Sequence, residues 1–168
     1  METGWLGDLP TWITTLAIVI AVLQFAMDRS RRKEEQERER REQARQLTTW
    51  VATYPKSPRE YMIILSNTSG STFHDVSVSA VIHGEKVAPL NLNILPPGEF
   101  FVQYDPENNY TWRFAQSVDA CTFDELRPYM KSNKYRIISA DFTDNADVRW
   151  HTDDRARLTE AQESRSNS

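Results

Sequence analysis

The chain has 168 residues, 39% of them hydrophobic and 26% charged, with a formal net charge of −4 and one cysteine. That length holds one ordinary domain plus accessory segments, and the acidic balance argues against a nucleic-acid surface, which needs clustered Lys and Arg. Cys121 alone closes no internal disulfide, which favours a reducing compartment.

Residues 1–8 contain Glu2 and Asp8 but no Lys or Arg, unlike the basic start of a cleaved signal peptide. They are expected to form a short extracytoplasmic tail. Residues 9–27 carry no charge at all. A helix of that length reaches about 28 Å, close to the roughly 30 Å hydrocarbon core of a bilayer. From Leu16 to Leu23 it is apolar all round, as lipid requires and as a soluble amphipathic helix is not. A transmembrane helix is therefore expected, anchored by Trp12, Ile18, Ile20, Leu23 and Phe25. Trp5 and Trp12 fall where an aromatic belt meets the headgroups, and Pro10 falls in the first turn, where a missing N–H costs least. Arg29, Arg31, Arg32 and Lys33 come immediately after the span. By the positive-inside rule they place the N-terminus outside and the rest of the chain in the cytoplasm. The same four residues are the expected contacts to anionic lipid, at about 1 kcal/mol each.

Residues 28–45 carry eight basic and six acidic side chains and neither Gly nor Pro. The pairs Glu34–Arg38, Glu37–Arg41, Glu35–Arg38 and Glu42–Arg45 have helical spacing, so residues 28–46 are expected to form a charged helical stalk. From Arg29 to Gln43 no apolar residue occupies a heptad seam, so the stalk is read as a spacer and not as a coiled coil.

From Leu47 the pattern changes to the period of two that marks half-buried strands. Val76, Val78, Ala80 and Ile82 share one face, as do Leu90, Leu92 and Ile94, and Tyr110, Trp112 and Phe114. Further runs at 47–54, 61–65, 99–104, 135–142 and 147–152 bring the expectation to seven or eight strands. Turn-forming stretches "NTSGS", "HGEK", "PPGE", "PENN" and "TDNAD" separate them. Residues 47–158 thus read as a β-sandwich of immunoglobulin-like type, and the chain as mainly β. One short helix is expected in "TFDELRPYMKS", where Thr122 and Glu125 form a capping box and Pro128 limits its length. Residues 159–168 lack apolar anchors and are expected to be disordered.

Asp141, Asp144 and Asp147 in "DFTDNAD" offer hard oxygen ligands, but the calcium-loop glycine and terminal glutamate are missing, and a hairpin turn is the stronger reading. His74, His83 and His151 have no zinc-site spacing, and Cys121 lacks the local signatures of a nucleophile. No phosphate-binding glycine loop and no nucleophile elbow occur. No catalytic, cofactor-binding or metal-binding residue is therefore assigned, and no cofactor is expected. Asn67 and Asn109 sit in glycosylation sequons, and both read as turn residues in a cytoplasmic domain.

The segments "DLPTWITTLA", "ARQLTTWV", "NTSGSTFHDVSVSA", "LPPGEF" and "DFTDNADVRWH" give the chain an order of features that resembles small single-pass membrane proteins of actinobacteria and their phages. In those an acidic N-terminus, one span and an Arg/Glu-rich helix lead into a β-sandwich. Where a glycine is expected in the last hairpin of such a pattern, this chain has Ala146 and Asp147. The resemblance implies architecture and a bacterial or phage source, and carries no functional residues. The expected function is a non-enzymatic adaptor or scaffold: a membrane-anchored β-sandwich presenting a loop end or edge strand to a protein partner at the cytoplasmic face. A phage-encoded or host effector in exclusion or immunity is the second reading. A metal-dependent enzyme is disfavoured by the missing constellations.

Overall fold

The computed structural model describes residues 8–54, 57–107, 111–120 and 126–161. The chain divides into two compact units, Met1–Arg41 and Glu42–Ser168.

The first unit is built on helix α1, Asp8–Ala44, whose 37 residues run without interruption from the apolar segment into the charged one. At about 1.5 Å per residue the helix is about 55 Å long. No Gly or Pro occurs within it after Pro10, so nothing breaks the backbone ladder where lipid-like sequence gives way to charge. From Ile13 the helix is long and apolar enough to cross a membrane, and none of that stretch is buried.

The second unit holds two antiparallel sheets. Its strands are β1 (Leu47–Tyr54), β2 (Ser57–Asn67), β3 (Phe73–Ile82), β4 (Glu85–Lys86), β5 (Leu90–Leu95) and β6 (Gly98–Gln103), then β7 (Gln116–Ser117), β8 (Arg127–Pro128), β9 (Arg136–Thr143), β10 (Arg149–Thr152) and β11 (Leu158–Glu160). The first sheet runs β7-β6-β2-β1-β8 and the second β11-β10-β9-β3-β4, with β5 also on β3. Mainly β, sandwich-like architecture is thus present as expected.

The core lies between the sheets. Ile63, Leu65 and Val102 of the first sheet meet Phe73, Val76, Val78, Phe142 and Trp150 of the second. The outer face of the first sheet is covered too: Met62, Ile64, Phe101 and Ala52 form a second cluster, against which Val118 and Leu126 pack. From Tyr61 to Asn67 strand β2 is therefore buried on both faces, which explains why "YMIILS" reads as a continuous run and not as an alternation.

Several expectations are corrected. Phe114 is 93% exposed and Ile94 is 59% exposed, so neither joins the inward face assigned to it. Residues 111–115 form no strand; Trp112 makes one isolated bridge to Tyr104. Ile94 turns outward because Asp75, at φ 50°, sits in a bulge of β3 that inverts the in/out phase, so that Phe73 and its partner Leu95 point inward and His74 and its partner Ile94 do not. The capping box Thr122–Glu125 lies outside the described residues. Beyond it the chain is extended, not helical: Arg127–Pro128 pairs with Thr53 and Ala52 as an edge strand, a position that tolerates proline. The disordered tail begins too early in the sequence reading, since β11 continues to Glu160 and the Ala161 N–H donates to the Arg149 carbonyl at 2.8 Å.

The unit also starts before Leu47. Ala44 is fully buried in the core, Thr68 N–H donates to the Gln46 carbonyl at 3.1 Å, and the Gln43 side-chain amide bonds Ser71 Oγ. A fragment spanning 42–161 should therefore melt cooperatively. One spanning 46–158 loses Ala44, Gln43 and most of β11, which costs about 2 kcal/mol and lowers Tm by roughly 5–10 °C. Equal melting temperatures in calorimetry would show that the unit truly begins at β1.

Candidate membrane anchor and docking surfaces

Ile18, Ile20, Leu23 and Phe25 all project from α1 into open space, Phe25 being 70% exposed. Trp12 lies in the same helix, with its side chain outside the described ones. From Ile13 to Met27 fifteen residues of largely apolar surface are exposed on every side, a helix long and apolar enough to cross a membrane. Arg29, Arg31, Arg32 and Lys33 come next on the same helix, also exposed. Successive residues are rotated by about 100°, so these four cations ring the helix and do not line one face. Of the stalk pairs, Glu42–Arg45 closes at 2.8 Å, with both side chains more than half exposed.

The candidates for chemistry are held in structural bonds. Asp144 is 1% exposed; its Oδ1 accepts from the backbone N–H groups of Ala146 at 2.8 Å and Val148 at 3.0 Å, and its Oδ2 from the Trp150 indole N–H at 2.9 Å. Its carboxylate is the internal brace of the β9–β10 hairpin. Asp147 in that hairpin has φ 59°, the left-handed position where the sequence pattern leads one to expect glycine. Asp141 pairs across strands with His151, Oδ1 to Nδ1 at 2.8 Å, on the outer face of the second sheet. His74 is exposed on β3. Cys121 and Asn109 lie outside the described residues. Asn67 is buried, its amide fully bonded, so a glycan there is incompatible with the fold.

Two surfaces were not legible in the alternation. The first is a groove of about 580 Å³ along one open side of the sandwich, lined by Leu90, Leu92, Trp112 and Phe114, with Asn91 and Arg113 at its polar edge. Trp112 is fixed there by its indole N–H donating to the Ala88 carbonyl at 2.9 Å, and Arg113 by Asp105 at 2.8 Å.

The second lies at the strand ends remote from Leu47. Tyr135 stacks on Tyr61 with ring centroids 4.6 Å apart, Tyr129 packs on Tyr135 at 4.2 Å, and His83 meets Tyr61 edge-on at 4.6 Å. The Tyr135 hydroxyl lies 3.1 Å from that of Tyr61 and 2.9 Å from His83 Nδ1. His83 and Gly84 both have positive φ, 58° and 90°, the tight-turn geometry that joins β3 to β4 and aims the imidazole at the tyrosines. Burial, reinforced by the hydrogen bond to Tyr61, pushes the Tyr135 hydroxyl well above the ordinary tyrosine range.

Removing the Asp144 brace tests its role. Asp144→Ala leaves a buried indole N–H and two backbone N–H groups without their acceptor, and should cost about 2–4 kcal/mol in urea unfolding. Asp147→Gly relieves the left-handed strain, and should add about 0.5 kcal/mol. Two other groups contribute to the pH dependence. Asp153 is held down at about 2, chiefly by the backbone N–H of Arg157 and then by its guanidinium and the Arg155 N–H. Its contribution is fully present above its ordinary value and is lost as pH falls through the folded value, so Asp153→Asn should flatten the acid limb between about pH 4 and 2. Tyr135 is raised, so above about pH 10 the unfolded chain ionises first and stability falls. Tyr135→Phe should flatten that alkaline limb. Unchanged limbs in the urea midpoint against pH would remove these assignments.

In comparisons with known proteins, the chain matches no family model, no curated protein and no solved structure.

Proposed function

We propose that this chain is a single-pass membrane protein whose β unit faces the cytoplasm and docks a protein partner without catalysing a reaction. The observation that carries the reading is α1, which presents apolar side chains to solvent on every side and passes unbroken into a ring of cations. Arg29, Arg31, Arg32 and Lys33 then sit at the boundary, where they favour the cytoplasmic side and contact anionic headgroups. An immunoglobulin-like assignment of the β unit belongs to the same proposal. It is supported by the pairing orders β6-β2-β1 and β10-β9-β3-β5, which correspond to E-B-A and G-F-C-C′ of that fold. The non-enzymatic reading is supported by the engagement of Asp144, Asp141 and His151 in turn and cross-strand bonds.

The topology is tested with Asn145→Cys, at the exposed tip of the β9–β10 hairpin, in a Cys121→Ala background. A membrane-impermeant thiol reagent should label it only after permeabilisation, and labelling of intact cells overturns the orientation. Docking is tested by photo-crosslinkable residues at Phe114 and Met130, 93% and 84% exposed. A discrete protein adduct is expected from at least one position; none from either removes the docking reading.

A further inference from the structure

Residues 127–136, "RPYMKSNKYR", hold four basic and no acidic side chains, whereas the rest of residues 46–168 holds eight basic and sixteen acidic. A domain that is acidic elsewhere thus concentrates positive charge in one loop. Lys131 and Lys134 are exposed, and no carboxylate among the described residues is bonded to either. Arg136 has Asp154 at 3.7 Å, and Glu85 on β4 is the nearest exposed acid in sequence to His83.

The loop is built and not slack. Its start is fixed by the Tyr129 N–H donating to the Val51 carbonyl at 2.9 Å, and its centre by the Lys134 N–H donating to Ser132 Oγ at 3.1 Å. Its end is fixed by the Gly84 N–H donating to the Lys134 carbonyl at 3.0 Å. Tyr129 and Tyr135 brace it from beneath against Tyr61 and His83. Met130, 84% exposed, stands between Arg127 and the two lysines in sequence. Preorganised aromatic support, one flexible apolar side chain and two lysines without acidic partners are what a docking face needs if little entropy is to be lost on binding.

We infer that residues 127–136 form the docking face of the β unit and that their occupant is an acidic polypeptide segment carrying an apolar side chain. The inference rests on the docking-module reading and names the partner's chemistry. A narrow acidic segment meets the loop alone, because beyond a Debye length of about 8 Å the acidic remainder of the domain is screened. An extended anionic surface meets that remainder as well and is repelled by it.

The experiment uses the full chain in phosphatidylcholine nanodiscs and fluorescence anisotropy of a labelled peptide EELEFEE, with KKLKFKK as its opposite. The acidic probe should bind, the basic one should not, and added salt should weaken binding. Lys131→Glu with Lys134→Glu should weaken it about tenfold or more, Lys131→Gln with Lys134→Gln should weaken it less, and Met130→Ser severalfold. Phe114→Ser, in the groove, should change nothing. Near-UV circular dichroism of each variant confirms that the fold is retained. Equal binding of both probes, or full affinity in the charge-reversed variant, overturns the inference. So does loop-dependent capture of phosphatidylglycerol vesicles in place of the peptide, which makes lipid the occupant. If the peptide fails while the crosslinker at Met130 still traps a protein, only the acidic assignment falls; if neither crosslinking position traps anything, the docking reading falls with it.

Discussion

The β unit depends on one buried amide. Asn67 ends β2 in the first sheet, and its Nδ2 donates to the Leu95 carbonyl of β5 in the second at 3.2 Å and to the Ser71 carbonyl at 2.9 Å. Its Oδ1 accepts from the Ser69 N–H at 3.1 Å and lies 2.6 Å from Ser69 Oγ. An unpaired amide at this depth costs several kcal/mol, so only the arrangement that satisfies every atom is accessible. That arrangement sets the angle at which the chain leaves one sheet for the other. Thr68, next in sequence, bonds Gln46, and Ser71 bonds Gln43, so the same corner also fixes where β1 begins.

A tightly specified corner at one end of the strands has consequences at the other. Register runs from Asn67 opposite Leu47 and Gly98 through to Tyr61 opposite Thr53. Tyr61 is thereby delivered beneath the loop after β8, where it receives Tyr135 and His83. The stacked rings are the far terminus of a register set by the amide, so the sheet places them beneath a loop that is itself polar and exposed. Covering both faces of β2 holds the same register, because neither face can slip to water without exposing Ile63 and Leu65 or Met62 and Ile64.

Helix, strands and hairpins were legible where a single local rule governs them. The uncharged run up to Met27 and the charged run after it each favour helix by composition alone, and the structure joins them without a break. Val76 to Ala80 alternate because that part of β3 has one buried face. The rule failed where tertiary context reverses it. Ile94 and Phe114 continue an alternating pattern that a bulge at Asp75 and the lack of a strand at 111–115 make void. "RPYM" comes after a helix-capping signal, yet β1 offers an open edge, and pairing there outweighs a helix limited by Pro128. The candidate site is less legible still. Tyr61, His83, Tyr129 and Tyr135 come from distant parts of the chain, and of the whole cluster the sequence displays only the charge count of residues 127–136.

Charge is arranged differently in the two units. In α1 cations and anions alternate beyond Lys33, so neighbours neutralise each other within a helical turn and little field extends outward. In the β unit, Lys131 and Lys134 have no acidic partner among the described residues, and Arg136 beside them has Asp154 only at 3.7 Å. Exposed pairs on a helix contribute only a few tenths of a kcal/mol each, so the stalk's charges serve solubility and helix persistence. Two exposed lysines beside the Tyr129–Tyr135 ring pair form no ion pair among the described residues that would stabilise the fold. Net positive charge in one loop of an otherwise acidic domain attracts anionic groups, and salt screens that attraction beyond about 8 Å.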